Sequence, residues 1–338
     1  MHTTLLIADL LPPPGFALPV ATPALDTLLS RSRISQSPGC TLEDALLAEF
    51  STDKNAPIAA LTRLADSDDP YIFTSTWLRA DPVHFAVSRD NIQLFDSHVV
   101  NPTNDEMAAI AATLNQHFAD VGIEVAFPDA ARGYIAIKTN DVPHTTPLWA
   151  MGNASVFENL PQLTTKTRTN WRAISNEIQM LLHDHPVNEA RQAAGALPIN
   201  GLWLWGGGSL DDFSGQCHYD HVVARLALAR GLAIATHCPQ STLPAAFTVR
   251  ASNTLVVLHT ATREIRAQSR ETWPDAVAAI DRDWIAPATK ALDGGQIKTL
   301  TIIVANEANS ITLDVRANGL GTRLQNLFRK KRTLRDFA

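Results

Sequence analysis

Four groups of polar residues have types and spacings that chemistry uses. Asp9 closes the first apolar run of the chain. A carboxylate there is either a hard oxygen ligand for a divalent ion or a helix cap or loop aspartate. His183-Asp184-His185-Pro186-Val187-Asn188, followed by Arg191, is the densest polar group. A helical turn after Pro186 puts His185, Asn188 and Arg191 on one face, either to hold an anion with Arg191 as its bidentate partner or to finish a helix end. His183 and His185 lack the i, i+4 spacing that places two helical ligands on one metal. Arg79, Asp81 and His84 form a third group, read as ligand contacts at a domain hinge or as a structural Arg–Asp pair. The fourth runs from Asn200 to Gly208, a strand that carries Trp205 into Gly206 and two more glycines. Glycine admits close backbone approach to a ligand, but the pattern is neither GxGxxG nor a P-loop. The tryptophans of that strand are core residues or stacking platforms.

The elements that must position these groups follow from hydrophobic patterning. The run at 3–8 predicts a buried parallel strand ending at Asp9, and Thr22 with Pro23 predicts a helix start. Further helices are expected at 42–50, 104–119, 169–182, 221–230 and 273–292. Strands are expected at 71–78, 84–87, 92–95, 134–137, 201–205, 232–235, 254–259 and 299–305. These combine into an α/β core of 1–78 and 198–322, with 3–8 as its central strand. An α+β domain is inserted at 79–197, and a basic tail covers 323–338. The 338 residues are 45% apolar and 18% charged, as in a globular protein. A net charge of −6 offers no global attraction to nucleic acid or to an anionic membrane. No stretch approaches the ~20 apolar residues of a membrane span. Cys40, Cys217 and Cys238 show no CxxC spacing, so a cytoplasmic setting is expected. The cluster Arg329-Lys330-Lys331-Arg332 is a solvated end or a partner surface, with no partner indicated.

HPVNEARQAAGALPINGLWLWGGG, residues 185–208, resembles the HPVN–R–G–PAN–WLWGQG segment of the archaeal-type cofactor-independent phosphoglycerate mutases of the alkaline phosphatase superfamily. LLIADLLPPPGFALPVATPALDTLLSRS at the start resembles that family's first strand, metal-binding aspartate and TPNLD helix, and AVAAIDRDWIAPATKAL its late helix. The combination of LRADPVH, NEIQMLLHDHPVN and LWLWGGG is closer still to bacterial proteins of the regulatory protein RpfE type. The resemblance implies an alkaline-phosphatase-like core. It also implies a substrate cleft kept at Arg79, Asp81, His84, His185, Asn188, Arg191, Trp205 and Gly206. In the inferred topology both crossings between core and insertion lie beside Arg79, His185, Asn188 and Arg191, so these four are expected to line one positive pocket at the domain junction.

The departures fall on the catalytic centre. Where the family has a nucleophilic serine followed by aspartate, this sequence has Gly39-Cys40-Thr41, leaving Cys40 or Thr41 as the substitute. His259 matches a family histidine, the stretch after it has no Asp or second His, and Ala305-Asn306-Glu307-Ala308 replaces the DHSTP ligands. Asp9 and His259 are then vestigial metal ligands. The expected protein is a degenerate mutase-like regulator or sensor that needs no cofactor and takes a small phosphorylated or carboxylated ligand. The alternative is an active mutase or phosphatase with an altered ligand set and two divalent ions, Mn or Zn.

Overall fold

The computed structural model describes residues 1–11, 20–66, 74–87, 92–137, 141–151, 154–161, 169–266, 271–317 and 332–337. The proline run at 12–15, the first residues of the strand expected from 71, and most of the basic tail lie outside them. Two compact units emerge, Met1–Ser51 with Gln216–Ala338, and Thr52–Gly215. The first unit opens with β1 (His2–Ala8), α1 (Pro23–Arg31), β2 (Arg33–Pro38) and α2 (Leu42–Glu49). The second contains α3 (Ile58–Asp66), β3 (Thr76–Val87), β4 (Ile92–Phe95), α4 (Ser97–Val100), α5 (Asn104–His117), β5 (Glu124–Asp129) and β6 (Arg132–Ile137). It ends with α6 (Val156–Asn159), α7 (Trp171–His183), α8 (Pro186–Ala193) and β7 (Gly201–Gly208). Back in the first unit come β8 (His221–Val223), α9 (Ala227–Ala235), β9 (Gln240–Ser241), β10 (Thr254–Leu258) and α10 (Thr260–Arg266). α11 (Trp273–Ile280), α12 (Ala286–Asp293), β11 (Thr299–Ala305) and β12 (Asn309–Arg316) complete it.

β1 is apolar at consecutive positions because both its faces are covered, as in a central parallel strand. It lies in the middle of a seven-stranded sheet ordered β2-β12-β11-β1-β10-β8-β9. Both its neighbours are parallel to it and come from the second half of the chain. Leu5 and Ile7 pack with Leu25, Leu28 and Leu29 of α1 and with Trp273, Val277 and Trp284. Each such side chain contributes about 1.5–3 kcal/mol by leaving water. β12 and β2 close one side as antiparallel strands, and neither was expected. β2 is almost wholly exposed and carries no apolar signal.

Three other expectations are corrected. Residues 221–230 and 232–235 are strand then helix, because the β-branched pair at Val222 and Val223 takes a place beside β10 while the Ala/Leu-rich run after it favours a helix. The helix expected at 273–292 is interrupted by a π-helical turn at Asp281–Ile285. The domain boundaries expected at 78/79 and 197/198 move to 51/52 and 215/216, because β3 and β7 pair along their length in one sheet.

That second sheet runs β4-β3-β6-β5, with β7 also on β3. β3 is one strand where two were expected. Its 76–79 stretch pairs with β6 and its 84–87 stretch with β4. Pro82 falls between these stretches, opposite Leu202 of β7. Met107, Ile110 and Leu114 of α5 share the core of this unit with Trp171, Ile174 and Ile178 of α7. Among the described residues no helix is long and apolar enough to cross a membrane.

Candidate functional site

The carboxyl ends of β10, β1 and β11 lie side by side in the first unit, and the next residues of each strand stand together there. Pairing of Ile7 with Leu258 and of Ala8 with Ala305 brings Asp9, His259 and Asn306 to one edge. This is where open α/β sheets bind ligands. Asp9 has φ 55°, in the left-handed region that aspartate tolerates better than most residues. Its N–H donates to Ala305 O at 2.9 Å, and Trp273 Nε1 donates to its carbonyl at 2.9 Å. The backbone that carries the carboxylate is therefore pinned on both sides.

Cys40 reaches the same edge through the β11–β12 turn. Its N–H donates to Asn306 O at 3.0 Å and its Sγ is hydrogen-bonded to Ser310 Oγ at 3.1 Å. Gly39 is required by this approach, since a Cβ there would lie 1.9 Å from Glu307 O. Asn306 is buried; its Nδ2 donates to Leu11 O at 3.0 Å and its Oδ1 accepts from Ala308 N at 3.0 Å. Thr41 caps α2, accepting from Asp44 N at 3.1 Å and donating to Asp44 Oδ2 at 2.8 Å. Among the described residues no three His, Cys, Asp or Glu side chains converge as a metal site. Asp9 and His259 are too few donors to fit a two-metal centre. Ser310, the partner of Cys40, had no signal in the sequence, because it belongs to a strand that was not recognised.

In the second unit the HPVN–R group is built into the fold. His185 caps α8, its Nδ1 accepting from Val187 N at 3.2 Å, which leaves Nε2–H to donate to Thr113 Oγ1 at 2.9 Å. Burial lowers its pKa, in keeping with a neutral ring. Asn188 donates to Leu182 O and Ile199 O and accepts from Ile199 N, all at 2.7–2.8 Å. Arg191 is only 6% exposed. Its Nη1 meets both Glu106 oxygens at 2.8 and 2.9 Å, Nε donates to Leu197 O at 2.7 Å, and Nη2 donates to Val100 O. The three side chains thus fasten the segment between α7 and β7 and leave Arg191 no positive field for a ligand. Glu106 was missed, although Thr103 and Glu106 carry the T-x-x-E signature of a capping box, and both bonds of that box are present.

The other candidates are also committed within this unit. Arg79 Nε and Nη2 donate to Asp81 Oδ1 at 3.0 and 2.6 Å, and Nη1 donates to Thr62 Oγ1 at 3.3 Å. The guanidinium lies between the rings of Tyr134 and Trp205, 5.3 and 5.0 Å from their centroids. Asp81 is 2% exposed and also accepts from Trp205 Nε1 at 2.8 Å and Gly133 N at 3.3 Å. Burial pushes its carboxyl up, and Arg79, Trp205 and Gly133 pull against that. His84 Nδ1 donates to Pro198 O at 2.9 Å. Gly206 has φ 63° beside an irregularity in the β3–β7 ladder and donates its N–H to Thr145 Oγ1 at 3.1 Å. The bent backbone needs that glycine whether or not a ligand is near. The single positive pocket expected for these residues is therefore replaced by two neutralised clusters, Arg79–Asp81 and Arg191–Glu106.

No protein-family model matches the chain, and no curated protein matches it. Among solved structures it is similar to the PH0037 protein from Pyrococcus horikoshii, with a TM-score of 0.56 and 13% identity over 93% of this chain and 87% of that one. It is also similar to the cofactor-independent phosphoglycerate mutase from Thermoplasma acidophilum DSM 1728, with a TM-score of 0.45 and 14% identity over 94% and 90% of the two chains. At this identity the likeness to PH0037 is one of fold.

Proposed function

We propose that the chain is a phosphoglycerate-mutase-like protein with a degenerate catalytic centre, which binds a small phosphorylated or carboxylated acid without turning it over. The observation that carries this reading is the set Asp9, Cys40 and Asn306 at the carboxyl edge of the first sheet. The resemblance of residues 185–208 to the mutases implies a nucleophile and metal ligands at that edge. A thiol bonded to Ser310 and a carboxamide bonded to Leu11 and Ala308 hold those places instead. A thiol and a carboxamide do not replace the several carboxylate and imidazole ligands that hold two divalent ions and activate a nucleophile. The support for a small acidic ligand is the resemblance of residues 185–208 to the mutases' cleft segment. Regulation or sensing then rests on ligand occupancy.

The test uses purified full-length protein. Expected are no mutase turnover with added Mn and a higher melting temperature with 3-phosphoglycerate; a ligand at 100 times its Kd adds about 2.7 kcal/mol to the folded state. Turnover with Mn overturns degeneracy in favour of an active enzyme with an altered ligand set. The absence of any shift with phosphorylated or carboxylated acids overturns the sensing role.

A further inference from the structure

Cys217 and Cys238 are far apart in sequence but share one backbone acceptor in the first unit. Cys238 Sγ donates to Tyr219 O at 3.2 Å and Cys217 Sγ donates to the same oxygen at 3.5 Å. Both sulfurs therefore lie within 3.5 Å of one carbonyl oxygen. Sheet register explains the meeting: Val222 of β8 pairs with Gln240 of β9, so the residues just before the two strands run side by side. Several bonds hold the thiols there. Cys238 N–H donates to Ala233 O at 2.8 Å, the Tyr219 hydroxyl donates to Glu49, and Asn253 Nδ2 donates to His218 O at 2.8 Å. The third thiol, Cys40, belongs to the other edge of the sheet, with Ser310.

The two sulfurs differ in access. Cys217 is half-buried, and Tyr219 N–H points at its sulfur from 3.4 Å. Cys238 is buried, and burial followed by the neighbouring Cys217 thiol pushes its pKa up to about 12. The half-buried thiol meets solvent reagents first, and the buried one, sharing its acceptor, is placed to resolve an adduct, slowly because little of it is thiolate near neutral pH.

We propose that Cys217 and Cys238 form a redox pair that is oxidised by small disulfides. Cys217, as thiolate, attacks one sulfur of the small disulfide; that S–S bond breaks, and the departing thiolate takes up the proton Cys217 gave. Cys238 then attacks Cys217 Sγ in the mixed disulfide, forming the Cys217–Cys238 bond and releasing the second small thiol with the Cys238 proton. Two protein thiols lose two electrons, and one small disulfide becomes two thiols. Tyr219 O loses both S–H donors in the oxidised state.

The probe is oxidised glutathione, added to the native full-length protein before alkylation and peptide mass mapping. Alkylatable thiols are expected to fall from three to one, with the Cys217 and Cys238 peptides joined and Cys40 still labelled, and dithiothreitol restores all three. In Cys238→Ser, glutathione is expected to remain attached to Cys217. In Cys217→Ser, labelling of Cys238 is expected to be unchanged by the treatment. Three alkylatable thiols after treatment, a lasting glutathione adduct in the unaltered protein, or a bond involving Cys40 would each overturn the proposal. The mapping of the unaltered protein decides even where a variant fails to fold.

Discussion

Arg191 gives up nearly all its hydration on folding and recovers it from one carboxylate and two carbonyls. Truncation leaves Glu106 and both carbonyls short of a donor, so Arg191→Ala is expected to cost about 3 kcal/mol of stability. A urea midpoint unchanged by the substitution would return this arginine to the ligand-binding candidates. The pair also has an acid limb. Burial alone would push the Glu106 carboxyl up, but the Thr103 N–H and the Arg191 guanidinium outweigh it and hold the carboxyl below its usual range. A carboxylate depressed by folding stabilises above its unfolded pKa and loses that contribution as pH falls through the folded value. The stability gap between the unaltered protein and the variant should therefore narrow as pH drops below the ordinary glutamate range. The spacing of His185, Asn188 and Arg191 on one helical face was legible in the sequence. The carboxylate, hydroxyl and Val100 carbonyl partners of His185 and Arg191 were not, because Glu106, Thr113 and Val100 lie more than 70 residues away.

α1 shows the same division at the level of an element. Thr22 and Pro23 announce its start, and the helix begins at Pro23, yet the Thr22 side chain makes no capping bond. The first amides are met instead by Asp281 of the π-helical turn, which accepts from Ala24 N at 3.1 Å and Leu25 N at 2.8 Å. Asp281 is buried, and that burial, opposed by these amides, raises its pKa. Asp281→Ala is expected to cost about 1–2 kcal/mol, the usual range for a lost cap. Amide exchange at Ala24 and Leu25 should quicken more than at Leu28. Equal rates before and after the substitution would leave the cap without a role. No local window contains this cap, since the carboxylate is supplied from 257 residues along the chain.

Among the described residues one hydrophobic core is built on β1, β10 and β11 and another on β3, β6 and β7 with α5 and α7. Each core lies wholly within one unit. Calorimetry is therefore expected to resolve two transitions, with Asp281→Ala lowering one and Arg191→Ala the other. A single transition lowered equally by both variants would mean that the units unfold together. The sequence by itself determined β1 as a central strand, because an unbroken apolar run leaves no face for water. It also placed Asp9 at that strand's carboxyl end and a helix after Pro186, since both follow from local pattern. Tertiary structure alone decided that β3 is one strand, that polar β2 joins the first sheet, and which partners each charged side chain takes. Those outcomes depend on pairing between distant segments, and a buried guanidinium is held by whichever carboxylate the fold brings to it, not by its neighbours in the chain.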